Sequence, residues 1–179
     1  VHTLRTLDDA LALRAELLDG LPRVVVIGAG FIGAEVASTA HRLGLRVTLV
    51  EAADVPLERQ LGRTMGLVCA SLHTDHGVHL LCGTGVAELL GQGRVTGVRL
   101  ADGRVLPADV VVAGVGVRPN TDWLAGSGVP GGDGGGCDSG SANPVPGVVP
   151  LCDLGRLPPP SPRPPTPIHH FGQRSRQPP

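Results

Sequence analysis

The chain has 179 residues, of which 41% are hydrophobic and 17% charged, and its formal net charge is −1 at pH 7. This length can bury one modest core, and the near-neutral charge excludes an electrostatic case for binding nucleic acid or an anionic membrane. The apolar stretches have the length of strands and are interrupted by glycine, so we expect no membrane span. The first residues lack the basic and apolar regions of a secretory signal, which favours a cytoplasmic location.

The first 21 residues predict a short amphipathic helix that leads into the main domain. Four leucines recur at near-helical spacing, and an acid in the first turn would interact favourably with the helix dipole. The leucines are Leu7, Leu11, Leu17 and Leu18, and the acids are Asp8 and Asp9.

The most informative segment, residues 23–51, reads RVVVIGAGFIGAEVASTAHRLGLRVTLVE. It has the layout of a dinucleotide-binding unit, with a buried strand, a glycine-rich turn, a helix and a second strand. Gly28 would allow the tight turn, Gly30 would let the backbone approach a pyrophosphate, and Gly33 would let the helix pack against the sheet. We expect the helix to begin near Phe31 and to direct its N–H groups and positive dipole end at two phosphates.

An acid completes this unit. Glu51 follows the second strand, Arg46–Val50, and lies 18 residues past Gly33, close to where an acid hydrogen-bonds the adenine ribose hydroxyls. A carboxylate there repels a 2′-phosphate, so the sequence predicts NAD(H) rather than NADP(H). A glycine-rich turn alone is weak evidence, and a purely structural turn is the alternative. Here the buried strand, the helix, the second strand and the terminal acid all agree with a nucleotide site.

The pattern continues with a second helix, a third strand, a β-meander and a last apolar strand that closes the sheet. The ranges are 61–76 for the helix, 78–81 for the third strand, 85–90, 94–100 and 104–106 for the meander, and 109–113 for the closing strand. The sequence therefore predicts an α/β fold, namely a Rossmann-like NAD-binding domain with a parallel sheet and an inserted β-meander.

Composition divides the chain into four parts. We expect a lead-in helix over residues 1–21, the NAD(H)-binding domain over residues 22–124, and a glycine-rich linker with a return segment over residues 125–157. Residues 158–179 are rich in proline, and we expect this tail to be disordered. The four cysteines show neither CxxC spacing nor pairing with histidine, so we expect no disulfide framework and no metal site. They are Cys69, Cys82, Cys137 and Cys152.

Three stretches carry a resemblance to a known family. They read LRTLDDALALRAEL, then VVVIGAGFIGAEVA with LVEAADVPLERQLG, then LADGRVLPADVVVAGVGVRPNTDWL, and they span residues 4–124. Their order and spacing resemble the NAD-binding domain of the FAD-dependent pyridine nucleotide oxidoreductases, within the ferredoxin/rubredoxin reductase-like branch. A fourth stretch, PGVVPLCDLGR, resembles the segment that holds the flavin ribityl chain. Asp153 stands at its aspartate position, whereas Cys152 replaces its glycine.

The resemblance implies that hydride passes from NADH to FAD and that electrons pass onward to a ferredoxin-like iron–sulfur carrier. Because the cofactors perform this chemistry, it implies no catalytic nucleophile or general base from the protein. The chain is expected to be an internal fragment, because family members also have their own FAD-binding fingerprint and an interface domain. A truncated, catalytically inactive NAD(H)-binding module or a pseudogene product is the alternative. A self-contained NAD dehydrogenase is disfavoured, since the sequence contains no tyrosine and no lysine.

The resemblance also implies several site residues. Glu35 would face the nicotinamide and flavin, or it is a first-turn helix acid favoured by the dipole. Arg59 would reach the adenosine side, or it is a solvated arginine. Gly114 and Gly116 would form a second glycine turn along the cofactor, or they end a strand in an ordinary turn. The full set of predicted cofactor-binding residues is Gly28, Gly30, Phe31, Ile32, Gly33, Glu35, Glu51, Arg59, Gly114, Val115, Gly116 and Asp153.

Overall fold

The computed structural model describes residues 1–129, 135–138, 142–149, 155–157 and 166–167. The chain divides into two compact units, Val1–Gly116 and Val117–Pro179. The elements of the first unit are α1 (Leu7–Leu18), β1 (Arg23–Ile27), α2 (Phe31–Arg42), β2 (Arg46–Val50), α3 (Glu58–Asp75), β3 (His79–Leu81), β4 (Val86–Gln92), β5 (Arg94–Leu100), β6 (Val105–Pro107) and β7 (Val110–Ala113). Among the described residues, no helix is both long and apolar enough to cross a bilayer.

A parallel sheet with the strand order β3-β2-β1-β7 forms the centre of the first unit. The chain builds outward from β1 to β2 and β3, and then returns to place β7 on the other side of β1. The strand order therefore reverses between β1 and β7. In open α/β sheets, ligands bind beside such a reversal, at the carboxyl ends of the strands.

Both faces of this sheet are covered, which explains its unbroken runs of β-branched residues. Alternate side chains point to opposite faces. Val24 and Val26 belong to a core that also contains buried residues of α1 and α2. Val25 belongs to a second core, with Val98 and Leu100 of the meander sheet. This meander sheet is antiparallel, in the order β4-β5-β6. The predicted α/β fold with an inserted meander is thereby confirmed.

Helix α1 forms where the sequence predicts it, but its buried face differs from the predicted one. Leu13 and Leu17 are buried, whereas Leu7, Leu11 and Leu18 are more than half exposed. The four leucines chosen from the sequence thus include only one that packs into the core. Near-helical spacing alone could not distinguish this face, because the helix carries leucines on more than one side.

Two local features hold the segment that carries α1. The side chain of Thr6 accepts a hydrogen bond from the Asp9 amide at 3.1 Å, and the Asp9 carboxylate accepts one from the Thr6 amide at 2.8 Å. This reciprocal capping box satisfies amides that the helix itself leaves without acceptors. Before the helix, the His2 amide donates to the carbonyl oxygen of Val111 at 2.8 Å, so the segment also pairs with β7.

The second unit begins with a short 3₁₀ helix, Asp122–Leu124, in which the Trp123 indole donates to the Asn120 carbonyl oxygen at 3.0 Å. Its strands are β8 (Gly135–Gly136), β9 (Gly155–Leu157) and β10 (Thr166–Pro167). Strand β9 pairs in parallel with β8 and antiparallel with β10. Apart from Thr166–Pro167, the tail predicted to be disordered lies outside the described residues.

A bidentate ion pair joins the amino ends of β1 and β7. The side chain of Arg23 donates to both carboxylate oxygens of Asp109, at 2.8 and 2.7 Å, and the Arg23 amide donates to the same carboxylate at 2.9 Å. The hydrogen bonds from the Arg23 side chain are the main reason that the pKa of Asp109 lies well below its usual range, and the bond from the Arg23 amide lowers it further. The pair fixes two strands that are far apart in sequence and adjacent in the sheet.

We predict that this ion pair makes the stability of the folded chain depend on pH. Because the folded pKa of Asp109 is depressed, its stabilising contribution is present above the unfolded pKa of about 3.9 and is lost as the pH falls towards the folded pKa. Asp109→Asn should therefore lower the melting temperature at pH 7. The difference in melting temperature between the variant and the unaltered chain should shrink as the pH falls from 5 to 2. Thermal unfolding followed by circular dichroism measures this, with Asp8→Asn as control. A difference that does not change with pH would contradict the prediction.

Candidate nucleotide-binding site

The candidate site lies where β1 and β7 end, at the carboxyl edge of the parallel sheet. Gly28 follows β1, and its amide donates to the Val50 carbonyl oxygen at 2.7 Å. Gly114 follows β7, and its amide donates to the Ile27 carbonyl oxygen at 2.8 Å. Both glycine turns therefore remain hydrogen-bonded to the sheet after the strands have ended.

Three glycines, Gly28, Gly33 and Gly114, meet at this edge, and we call them the glycine junction. Two of them, Gly28 and Gly33, have no room for a side chain. A Cβ on Gly33 would collide with the carbonyl oxygen of Gly28, and a Cβ on Gly28 would collide with the carbonyl oxygen of Gly114. Gly28 also has a φ of +94°, a left-handed conformation that favours glycine. The junction brings the start of α2 directly against the two turns.

Gly30 stands in a different environment from these three glycines. It is the N-cap of α2, with φ −73° and ψ −174°, and no atom lies within 4 Å of the position that a Cβ would occupy. The fold therefore does not require glycine at this position. The open space suits a ligand that approaches the backbone at the N-terminal end of a helix, where amides and the dipole favour a phosphate.

Glu51 connects the glycine turn to the loop that follows β2. One carboxylate oxygen accepts a hydrogen bond from the Ala29 amide at 2.8 Å, and the other accepts one from the Ala53 amide at 2.9 Å. Each oxygen has a further lone pair. The carboxylate thus braces the two loops that contain Ala29 and Ala53. Its remaining lone pairs can still accept hydrogen bonds from ribose hydroxyls.

Four further predicted residues of the first unit lie next to this junction. Phe31 and Ile32 are half-buried in the first turn of α2. Val115 is 75% exposed, and Gly116 has a φ of +124° with open space around it. This turn is therefore accessible along its outer side. Asp153 lies outside the described residues.

The structure does not connect two of the predicted residues to the junction. Glu35 is exposed on α2 and lies in the second turn, because the helix begins at Phe31. Its alternative interpretation as a dipole-favoured acid of the first turn is therefore wrong. Arg59 is exposed in the first turn of α3. Within the described residues, neither side chain hydrogen-bonds to the glycine junction.

The loop after β3 also reaches this edge, although the sequence predicts no cofactor-binding residue in it. The Gly83 amide donates to the Ala53 carbonyl oxygen at 3.0 Å, and the Thr84 amide donates to that of Glu51 at 3.2 Å. The signal that could have indicated this loop is a glycine directly after a predicted strand, the position at which loops approach the sheet edge.

Cys69 and Cys82 are free thiols, and Cys152 lies outside the described residues. In the part of the chain that the structure describes, no group of three or more histidine, cysteine, aspartate or glutamate side chains is arranged to hold a metal ion.

The fold and the junction define a dinucleotide-binding domain of the Rossmann type, and comparison with known proteins gives its family. Residues 1–153 match the model of the pyridine nucleotide-disulphide oxidoreductases. The chain belongs to this family, which confirms the resemblance seen in the sequence.

Among its relatives is rhodocoxin reductase from Rhodococcus erythropolis, which is 45% identical over 131 residues, or 73% of this chain and 30% of the relative. The p-cumate 2,3-dioxygenase system ferredoxin–NAD(+) reductase component of Pseudomonas putida is 37% identical over 158 residues, or 88% of this chain and 38% of the relative. The chain thus spans between 30% and 38% of the length of these two relatives.

Solved structures agree with this assignment. The ferredoxin reductase for the CYP199A2 system from Rhodopseudomonas palustris superposes with a TM-score of 0.76 at 38% identity, covering 88% of this chain and 39% of that structure. The reductase in a covalent putidaredoxin reductase–putidaredoxin complex superposes with a TM-score of 0.78 at 33% identity, covering 94% of this chain and 41% of that structure.

We predict that Gly33→Ala destabilises the fold even though alanine favours helices. The higher helix propensity of alanine contributes up to about 1 kcal/mol, whereas forcing a methyl group against a fixed backbone costs about 1–3 kcal/mol or more. The Gly28 carbonyl oxygen is a backbone atom, so the turn itself must shift to admit the methyl group, and the collision should dominate. Urea unfolding measures the difference. Gly85→Ala is the matched control, because no atom lies within 4 Å of its Cβ position. Equal stability of both variants would contradict the prediction.

Proposed function

We propose that this chain is the NAD(H)-binding portion of an FAD-dependent NADH oxidoreductase that delivers electrons to a ferredoxin-like iron–sulfur carrier. The observation that carries the proposal is the open backbone at Gly30, next to the braced carboxylate of Glu51, at the strand-order reversal of the sheet. Several relatives are named as ferredoxin reductases, which supports a ferredoxin-like protein as the electron acceptor. The family supports FAD as the second cofactor.

Each predicted residue has a proposed role in holding the cofactors. When bound, NADH supplies a hydride and FAD accepts it, so the protein needs to position them rather than to react. The Gly30 backbone and the first turn of α2, with Phe31 and Ile32, bind the pyrophosphate. Glu51 accepts hydrogen bonds from the adenine ribose. Gly28 and Gly33 shape the turn that makes this approach possible.

The other roles rest more on the resemblance than on contacts. Val115 and Gly116, with Gly114 behind them, lie along the nicotinamide half of NADH. Glu35 faces the nicotinamide and flavin, and Arg59 approaches the adenosine side. The resemblance implies that Asp153 would contact the ribityl chain of FAD. The cytoplasmic location stays a prediction of the sequence.

A chimera tests the proposed electron transfer. Residues 4–124 replace the corresponding segment of rhodocoxin reductase, and the chimera should oxidise NADH with a dye acceptor at a rate within about tenfold of its parent. Gly30→Val in the chimera should abolish this oxidation, because the valine side chain occupies the space through which a pyrophosphate reaches the backbone. Flavin absorbance near 450 nm and the circular dichroism spectrum should remain, since that space is open in the fold.

Gly85→Ala provides the matched control in the same chimera. It adds a side chain at another open glycine position, one with no proposed role in cofactor binding, and it should leave the rate unchanged. A chimera that folds and binds flavin but does not oxidise NADH would contradict the proposed function.

Nucleotide preference is a separate prediction. The chain should bind NADH better than NADPH, and Glu51→Ala should narrow this gap by about 1–3 kcal/mol, because a charged hydrogen-bond acceptor for the ribose is lost. Titration followed by NADH and NADPH fluorescence measures both affinities. Because the brace to Ala29 and Ala53 is also lost, urea unfolding of the variant is measured in parallel. Glu88→Ala, which removes an exposed acid of the meander, is the control. Equal affinity of the unaltered chain for both nucleotides would exclude this role of Glu51.

A further inference from the structure

The main chain of Glu51 is held by β3 and by the loop that follows it. The Glu51 amide donates to the Leu81 carbonyl oxygen at 2.7 Å, and the Glu51 carbonyl oxygen accepts from the Thr84 amide at 3.2 Å. The carboxylate of the same residue is braced by the amides of Ala29 and Ala53. The position of this carboxylate therefore depends on Thr84 as well as on the glycine turn.

Thr84 is a buried polar residue in this loop and is only 7% exposed. Its hydroxyl donates to Oδ2 of Asp102 at 3.5 Å. Because a buried hydroxyl is costly to leave without a partner, this hydrogen bond favours one orientation of the threonine side chain. Thr84 thus connects two parts of the fold, since its amide reaches Glu51 and its side chain reaches the meander.

Asp102 is itself fixed at the tip of the hairpin between β5 and β6. Its Oδ1 accepts from the Arg104 amide at 3.0 Å, and its Oδ2 accepts from Nε of Arg104 at 2.8 Å. These hydrogen bonds lower the pKa of Asp102, the side-chain bond most strongly, so the carboxylate is a charged acceptor at neutral pH. Leu100, at the end of β5, is buried in the same core as Val50, the residue before Glu51. The hairpin and the strand that leads to Glu51 therefore pack on one core.

We propose that Thr84 is a positioning residue of the nucleotide site. Its hydroxyl, held by Asp102, fixes the Thr84 amide against the Glu51 carbonyl oxygen and so keeps the Glu51 carboxylate where it can accept hydrogen bonds from a ribose. Thr84 acts through Glu51 and makes no contact with the nucleotide. The meander thereby contributes to nucleotide binding from outside the site. This inference rests on the proposed function, because it requires the adenine ribose to lie at Glu51.

The test measures the NADH affinity of the 179-residue chain and its variants by fluorescence titration. Thr84→Val keeps the branched shape of the side chain and removes the hydroxyl. It should weaken NADH binding about three- to tenfold, as expected for the loss of one hydrogen bond. Thr84→Ser keeps the hydroxyl, so its NADH affinity should stay within about twofold of that of the unaltered chain.

A second variant removes the acceptor of the same hydrogen bond. Asp102→Ala changes an exposed side chain rather than a buried one, and it should weaken NADH binding to a similar extent as Thr84→Val. Thr96→Val is the matched control, because it removes a threonine hydroxyl that donates within the meander, to the Leu90 carbonyl oxygen at 3.4 Å. This control should leave NADH affinity unchanged. Urea unfolding establishes that each variant is folded under the conditions of the titration.

A double-mutant cycle with Glu51→Ala distinguishes positioning from general destabilisation. If Thr84 acts through Glu51, Thr84→Val should weaken NADH binding by less than about twofold once residue 51 is alanine, because the effects of coupled residues are not additive. A merely structural role of Thr84 would instead give the same loss of affinity in both backgrounds.

The outcomes separate this inference from the proposed function. If the unaltered chain binds NADH and neither Thr84→Val nor Asp102→Ala weakens that binding, the role of Thr84 alone is overturned. Equal losses from Thr84→Val with and without Glu51→Ala would overturn it as well. If the unaltered chain binds no NADH, the proposed function fails and the role of Thr84 fails with it.

Discussion

The close contact between the backbones of Gly28 and Gly33 is the constraint on which the rest of the site depends. Because a Cβ on Gly33 would meet the Gly28 carbonyl oxygen, helix α2 can begin directly against the turn that follows β1. Gly114 brings the turn after β7 to the same point. The helix N-terminus, both turns and the strand-order reversal therefore coincide. As a result, the backbone at Gly30 is open to a ligand, because no atom lies within 4 Å of the position that a Cβ on Gly30 would occupy.

Around this junction the polar groups are positioned mainly by backbone hydrogen bonds. The carboxylate of Glu51 accepts from two amides in different loops, and the loops after β2 and β3 are joined through main-chain groups. Such an arrangement holds a ribose acceptor in place before a ligand arrives, which reduces the ordering cost of binding. In the proposed function, this geometry lets Glu51 accept hydrogen bonds from the ribose hydroxyls.

The sequence predicted the elements of the sheet well, because buried parallel strands and glycine-rich turns have strong local signals. It did not predict the contacts between distant segments, such as the brace from Glu51 to Ala29 or the hydrogen bond from Thr84 to Asp102. The start of α3 was also missed: the sequence places it at residue 61, whereas the helix begins at Glu58 and has non-helical angles at Gly62, with φ 78°. Local spacing does not encode such a break, nor the side of α1 that meets the core.

We propose that the glycine junction, with Gly30 and Glu51, binds the pyrophosphate and the adenine ribose of NAD(H). Two-dimensional ¹H–¹⁵N NMR of the labelled chain during titration with NADH tests it most directly, because each backbone amide reports on its own surroundings. The account predicts that the largest shift changes occur at residues 28–33, 51–54 and 114–116, and that adenosine 5′-monophosphate reproduces those at 51–54 but only part of those at 28–33. Changes confined to the meander of β4, β5 and β6, or no changes at saturating NADH, would contradict it.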